Sequence, residues 1–222
     1  MKNGVYNEEN IPFGEEHILS QAKLIVFEGI DGCGKSTQIS LLADSLRAMG
    51  RQVAVSAEPT ETDTGKMLRE ALSGKVKRTP CAMAALFTLD RIVHNKCDNG
   101  IEKTLEKGVD MLSDRYYYSS LAYQGSLCDY DWVRDMNVNC PDICRPDLCI
   151  FLDSPPKEAL ARIGKRGEAT EIYEKEESLT LFRATFLRVF ETLGDRVAVV
   201  DASGTPNEVA ARVLAAVKEI LN

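Results

Sequence analysis

The chain has 222 residues, of which 44% are hydrophobic, so it can bury a sizeable core and we expect one domain. Its net charge of -7 argues against a protein that binds nucleic-acid polymers, because such proteins present basic surfaces. The first 22 residues contain four glutamates and lack the pattern of a signal peptide, and no stretch approaches the ~20 apolar residues that span a bilayer. We therefore expect a cytoplasmic protein that is not bound to a membrane.

Short apolar runs alternate with helical patterns along the chain. We predict strands at 24–27, 53–56, 109–113, 148–152 and 197–200. We predict helices at 39–46, 67–72, 80–106, from about 118, at 131–136, from 155, at 171–193 and at 208–221. Because helices separate the strands, the pattern predicts an α/β fold, a five-stranded parallel sheet with helices on both faces.

Residues 29–36 match the phosphate-binding pattern G-x-x-x-x-G-K-[ST], with a strand before them and a helix after them. In this P-loop, glycines let backbone N–H groups surround phosphate oxygens, Lys35 reaches the β- and γ-phosphates of ATP, and Ser36 ligates Mg²⁺. We predict catalytic roles for Lys35 and Asp31. The predicted ATP-binding residues are Gly29, Ile30, Asp31, Gly32, Cys33, Gly34, Lys35, Ser36 and Thr37.

The segment Asn95-Lys96-Cys97-Asp98 matches the N-K-x-D element with which GTPases read guanine. It falls inside a helical pattern rather than after a strand, and no D-x-x-G lies between it and the P-loop. Both features favour a kinase over a GTPase switch.

Two acids, Asp114 and Asp153, each follow a predicted buried strand, where the acid that assists the metal is expected. Asp114 precedes Arg115, which is suited to hold an acceptor phosphate near the metal. We therefore predict a metal site formed by Ser36 and Asp114. Asp153 precedes two prolines, and we interpret it as a helix N-cap.

Residues 114–125 read D-R-Y-Y-Y-S-S-L-A-Y-Q-G and resemble the signature of the thymidylate kinase family. The resemblance extends through the P-loop, the helix that contains Phe87 and the strand that ends at Asp153, and it covers roughly residues 23–221. It implies the P-loop nucleoside monophosphate kinase fold with a short LID, in a domain at 23–222 after an extension of unknown role at 1–22. It also implies phosphorylation of dTMP by ATP with Mg²⁺, in a homodimer.

The resemblance implies roles for individual residues of the acceptor site. Phe87 would stack on the thymine ring, and Arg91, on the same helical face, would hydrogen-bond the base. Arg115 would hold the acceptor phosphate and serve as a catalytic residue. The further residues predicted to bind the acceptor are Glu58, Ser119, Ser120, Tyr123 and Gln124.

Residues 162–167 resemble the family's LID, and the P-loop of this chain carries no arginine. In such family members the basic LID residues, here Lys165 and Arg166, would close over the ATP phosphates and act in catalysis.

One segment departs from the family pattern. Many relatives read R-E-P-G-G-T where residues 57–62 read A-E-P-T-E-T, so an arginine that helps to hold the acceptor phosphate is absent. Glu58 becomes a candidate contact to the metal or to the acceptor. Two alternatives to a dTMP kinase stay open, a kinase for another nucleoside or nucleoside monophosphate and a nucleotide-binding module without turnover.

Overall fold

The computed structural model describes residues 22–164 and 176–221, which form five strands and nine helices. The strands are β1 (Leu24–Glu28), β2 (Val53–Ala57), β3 (Asp110–Asp114), β4 (Leu148–Asp153) and β5 (Val197–Asp201). The helices are α1 (Lys35–Ala48), α2 (Asp63–Leu72), α3 (Pro80–Lys96), α4 (Ile101–Glu106), α5 (Tyr117–Tyr123), α6 (Tyr130–Val138), α7 (Pro156–Gly164), α8 (Glu176–Leu193) and α9 (Pro206–Leu221).

The strands form one parallel sheet in the order β2-β3-β1-β4-β5. Strand β1 is central, and its Phe27 lies opposite Asp114 of β3. The chain that leaves β1 and the chain that leaves β3 therefore emerge side by side at the carboxyl edge of the sheet. Open parallel sheets bind their ligands at this edge.

Helices cover both faces of the sheet, as predicted. Strand β1 is buried along its whole length and β4 nearly so, which requires apolar layers above and below them. Helix α1 packs on α9, and α5 packs on α3, α6 and α8. Rings of Phe151 on β4 and Phe186 and Phe190 on α8 lie 5.1–6.0 Å apart, and they fix α8 on the sheet.

The predicted single helix at 80–106 is wrong, because the chain turns at residues 97–100 between α3 and α4. The N–H of Gly100 donates to the carbonyl oxygen of Cys97 at 2.8 Å. A Cβ at Gly100 would overlap the carbonyl oxygens of His94, Asn95 and Cys97, so only glycine fits this turn. The dipeptide Asn99-Gly100 is a turn signal, but the apolar pattern on both sides of it favours one continuous helix.

The predicted LID segment at 162–167 overlaps the end of α7, which continues to Gly164. The predicted start of the following helix at 171 lies outside the described residues, as do residues 1–21 of the predicted extension. Within the ranges described, none of the helices combines the length and the apolar character needed to cross a bilayer.

An alanine at Gly65 tests how α2 is fixed to the loop that follows β2. A Cβ at Gly65 would overlap backbone atoms of Thr60, which cannot rotate away. We expect Gly65→Ala to lower the free energy of unfolding in urea by more than about 2 kcal/mol. Gly164→Ala is the control, because a Cβ there meets no atom of the described residues within 4 Å and should change this free energy by less than about 1 kcal/mol. Equal losses in the two variants would contradict the packing.

Candidate active site

The P-loop connects the end of β1 to the start of α1. Gly32 and Gly34 have φ angles of 79° and 103°, a left-handed region that glycine enters without steric cost. Gly34 is the N-cap of α1, so the loop leads directly into a helix N-terminus whose N–H groups attract anions. A Cβ at Gly32 would also overlap the carbonyl of Ala159 on α7. The backbone thus has the shape that phosphate binding requires.

Lys35 folds back over the loop that precedes it. Its Nζ donates to the carbonyl oxygens of Gly29 at 3.1 Å and Ile30 at 3.4 Å, and the residue is 8% exposed. The ammonium group therefore lies within the loop and in the wall of a cavity above it.

This phosphate cavity has a volume of about 320 Å³. Its charged and hydroxyl side chains come from the P-loop and the start of α1, from the segment after β2, from α2 and from the end of β3. They are Asp31, Lys35, Ser36, Glu58, Arg69, Asp114 and Arg115. Three cations and three carboxylates therefore line the cavity, and the cations, together with the N–H groups of the P-loop, are donors for an anionic ligand.

Asp114 has the properties of a magnesium ligand. Its Oδ1 is buried, and no described residue gives it a hydrogen bond. An unpaired carboxylate oxygen is costly to bury, and a cation removes that cost. Ser36 lines the same cavity, and carboxylate and hydroxyl oxygens are donors that Mg²⁺ accepts. The two predicted metal residues are therefore brought together and fit the ion.

Asp153, the other acid at the end of a strand, is differently placed. Arg183 of α8 donates to both of its oxygens, at 2.5 and 2.7 Å. The prediction that Asp153 caps α7 is wrong, because its carboxylate is taken up by this ion pair.

Arg115 links the P-loop to the chain after β3. Among the described residues, it is the one residue other than glycine that has a positive φ, 71°. Such a conformation persists only where neighbouring contacts hold it. Its guanidinium donates to the carboxylate of Asp31 and, at 2.9 Å, to Oγ of Ser119. Burial opposes the charge, but Asp31 raises the pKa of Arg115 well above its usual value.

A second cavity, the acceptor cavity, adjoins the phosphate cavity. Four residues line both of them: Asp31, Pro59, Leu72 and Arg115. The rest of the acceptor wall is formed by Phe87, Ser119, Tyr123 and Gln124. The two cavities therefore meet at Arg115, and four predicted acceptor residues lie beyond it in one wall.

Three other predicted acceptor residues form a buried network. Nε and Nη2 of Arg91 donate to Oε2 of Glu58 at 2.9 and 2.6 Å, and Nδ1 of His94 lies 3.0 Å from Oε1. Arg91 also donates to Oγ of Ser120 at 3.3 Å and to Asn137, and it is 1% exposed.

This network involves three of the predicted acceptor residues. Both carboxylate oxygens of Glu58 are bonded to side chains of α3, so Glu58 serves as the counter-ion of Arg91 while it also borders the phosphate cavity. Arg91 and Ser120 are each 1% exposed and are not among the residues that line the acceptor cavity, so their contact with a base stays a prediction. Glu58, which lies 33 positions earlier in the chain, neutralises the positive charge of Arg91.

Two arginines near the P-loop received no predicted role. Arg69 of α2 lines the phosphate cavity, and its Nη1 donates to the carbonyl oxygen of Pro59 at 3.1 Å. Arg162 of α7 lies 3.5 Å from the carbonyl oxygens of Gly32 and Cys33. The sequence feature that points to such residues is the missing arginine at 57–62, because another residue has to supply its positive charge. The predicted LID residues Lys165 and Arg166 lie outside the described residues.

The N-K-x-D segment does not form a base-binding site. The side chain of Asn95 is buried and bonds to the carbonyl oxygen of Arg91, to the hydroxyl of Tyr116 and to the N–H of Cys144. Lys96 pairs with Glu102 on the surface. These contacts link α3 to the segments beside it, and neither Asn95 nor Lys96 is among the residues that line the phosphate cavity or the acceptor cavity.

Comparison with known proteins agrees with this geometry. The family model described as thymidylate kinase matches residues 27–213, most of the chain. The chain belongs to the thymidylate kinase family. It is 37% identical over 203 residues to a probable thymidylate kinase of Pyrococcus horikoshii, covering 89% of this chain and 96% of that protein. It is 40% identical over 195 residues to a thymidylate kinase of Akkermansia muciniphila, covering 87% and 90%.

The solved thymidylate kinase of Candida albicans has the same fold, with a TM-score of 0.76 and 25% identity over 90% of this chain and 92% of that one. Members of the thymidylate kinase family transfer a phosphoryl group to dTMP, with ATP as the donor that a P-loop kinase uses. The five-stranded sheet, the P-loop and the two adjoining cavities of this chain are the parts that such a transfer requires.

Proposed function

We propose that the protein phosphorylates dTMP to dTDP at the junction of the two cavities, with ATP as the donor. The observation that carries the proposal is the position of Arg115. This residue is bonded to the P-loop through Asp31 and to the acceptor wall through Ser119, and it lines both cavities. A phosphate monoester held at Arg115 has its oxygens directed toward a γ-phosphate on the P-loop.

The reaction needs no general base in this site. The second pKa of a phosphate monoester is about 6, so the acceptor is largely dianionic at neutral pH and already nucleophilic. Catalysis then consists of alignment and charge neutralisation. Lys35 neutralises the transferred group, and Arg115 and Arg69 hold the acceptor phosphate. Arg69 supplies the charge that relatives place in the segment equivalent to 57–62.

Ser36 and Asp114 would hold Mg²⁺, which supplies charge neutralisation at the β- and γ-phosphate oxygens when it is bound. Lys165 and Arg166 are proposed to add positive charge over the ATP phosphates, and Arg162 to fix α7 against the P-loop. The homodimer, the cytoplasmic location and the division into 1–22 and 23–222 stay predictions.

The far end of the acceptor cavity suits an aromatic base on a deoxyribose. Phe87 presents a half-buried ring there, and Gln124 presents an amide that can read the edge of a base. Tyr123 is 6% exposed, packs on Phe182 with ring centroids 4.2 Å apart, and has the guanidinium of Arg115 5.6 Å from its centroid. A ring held from both sides cannot move aside for a 2′-hydroxyl.

A wider range of acceptors is the second candidate function. The residues at 57–62 depart from the common family pattern, and the thymidylate kinase of Candida albicans is described as having broad substrate specificity. Initial rates with a panel of deoxynucleoside monophosphates separate the two candidates, because a dTMP kinase gives its highest kcat/KM with dTMP.

Substitution of Asp114 tests the metal site. We expect Asp114→Asn to raise the Mg²⁺ concentration for half-maximal activity by at least about tenfold, because a neutral amide is a weaker ligand. Asp153→Asn is the control, since Asp153 ends β4, on the other side of β1 from Asp114, and is bonded to Arg183. A titration of activity with MgCl₂ measures both, and an equal shift in the two variants would refute the assignment of Asp114.

Substitution of Tyr123 tests the acceptor. We expect wild-type enzyme to prefer dTMP over its ribose counterpart by roughly 10- to 200-fold in kcat/KM, because a hydroxyl that crowds a pocket is disfavoured only moderately. Tyr123→Ala should reduce this ratio, since it makes room for the hydroxyl.

Phe190→Leu is the matched control, because it removes ring contacts to Tyr118, Phe151 and Phe186 in the neighbouring aromatic layer, and it should keep the wild-type ratio. If Tyr123→Ala keeps the full ratio, Tyr123 does not select the sugar. If wild-type enzyme shows no turnover of dTMP, the proposed function itself is refuted.

A further inference from the structure

The carboxylate of Glu28 has no part in the reaction described so far. Glu28 is the last residue of β1, directly before Gly29 of the P-loop, and it is 0% exposed. A charged group at such a position needs hydrogen bonds to offset its lost hydration. Its Oε1 accepts from the N–H groups of Tyr116 at 2.9 Å and Ser119 at 3.1 Å, and its Oε2 accepts from Oγ of Ser119 at 2.7 Å.

Two of these bonds fix the start of α5. The N-cap of α5, Tyr116, gives the helix no side-chain hydrogen bond, although the first N–H groups of any helix lack partners within the helix. Glu28, on the neighbouring strand, accepts from the N–H of Tyr116 and shares the N–H of Ser119 with the carbonyl oxygen of Tyr116. The start of α5 is thereby tied to β1 and to the P-loop.

The third bond reaches Arg115 through Ser119. A serine hydroxyl has one hydrogen to donate and two lone pairs with which to accept. The Ser119 hydroxyl donates to Glu28 and accepts from Nη1 of Arg115 at 2.9 Å. Glu28 therefore sets the direction of the hydroxyl, and the lone pairs that remain face the guanidinium.

We propose that Glu28 is a positioning residue that holds the Arg115 guanidinium, by way of the Ser119 hydroxyl, in the orientation that receives the acceptor phosphate. This inference rests on the proposed function, because it assigns the orientation of the residue that joins the two cavities. Strand β1 then supports both the P-loop, which follows it, and the acceptor side of the site. Charge contributes as well when Glu28 is ionised, since Glu28 and Asp31 then both favour the charge of the half-buried Arg115.

Glutamine at position 28 separates the two tasks of the carboxylate. Its amide oxygen can keep the two bonds to the backbone of α5. Its amide nitrogen takes the position of Oε2 and donates to Ser119, where the carboxylate oxygen accepts. The hydroxyl then loses its acceptor, and the bond to Arg115 loses its fixed direction. The helix start is kept and the orientation of Arg115 is released.

The experiment is a double-mutant cycle with Glu28→Gln and Ser119→Ala, measured as kcat/KM and KM for dTMP and for ATP. We expect Glu28→Gln to lower kcat/KM for dTMP by about tenfold or more, the usual loss for a hydrogen bond to a charged group, and to leave KM for ATP within about twofold. In the Ser119→Ala background the same change should lower kcat/KM for dTMP by less than about twofold.

Asp195→Asn is the matched control, because Asp195 is a buried carboxylate that accepts from the hydroxyls of Tyr117 and Tyr118 and so anchors α5 away from Arg115. It should leave both KM values unchanged. Effects of Glu28→Gln and Ser119→Ala that multiply, or an equal rise in KM for ATP, would overturn the inference. Wild-type turnover of dTMP is measured in the same series, so a failure of the proposed function is seen separately.

Discussion

The contact between Arg115 and Asp31 is the interaction on which the rest of the site depends. A guanidinium that is largely removed from water is stable only beside opposite charge, and Asp31 of the P-loop supplies that charge. The two residues can meet because β1 and β3 are paired in register, with Phe27 opposite Asp114. A property of the sheet thus brings the phosphate-binding loop and the acceptor segment together.

The charges around this contact divide into two groups with different tasks. Lys35, Arg69 and Arg115 border the phosphate cavity, where an anionic ligand completes their surroundings. Glu58, which also borders the phosphate cavity, and the buried Arg91 neutralise each other and hold the segment after β2 against α3. The first group therefore binds the negative charge of the substrates, and the second group supports the wall of the acceptor cavity.

The sequence predicted the parts of the fold that local patterns encode. The five strands, the P-loop and the segment 114–125 each consist of neighbouring residues whose spacing carries the information. Long-range charge pairing could not be predicted in this way. Periodicity shows that a residue is buried, but it does not show which buried charge it meets, so the pairing of Arg91 with Glu58 and of Arg183 with Asp153 was missed.

The role of Glu28 was hidden for the same reason. In the sequence it reads as the polar end of an apolar strand, and only the pairing of β1 with β3 shows that it reaches the start of α5. Burial raises the pKa of Glu28 to about 7, against the opposing effects of Arg115 and of its hydrogen bonds. Such a group persists in a core because its bonds fix neighbouring parts of the structure.

Replacement of Arg115 by lysine tests the central claim most directly, because lysine keeps the charge but lacks the forked donors that bridge the P-loop side and the acceptor. Steady-state kinetics of Arg115→Lys with dTMP and ATP should show a loss of at least about 100-fold in kcat/KM for dTMP, as expected for a lost transition-state donor, with KM for ATP within about threefold of wild type. An Arg115→Lys enzyme that phosphorylates dTMP with wild-type kcat/KM would contradict the account.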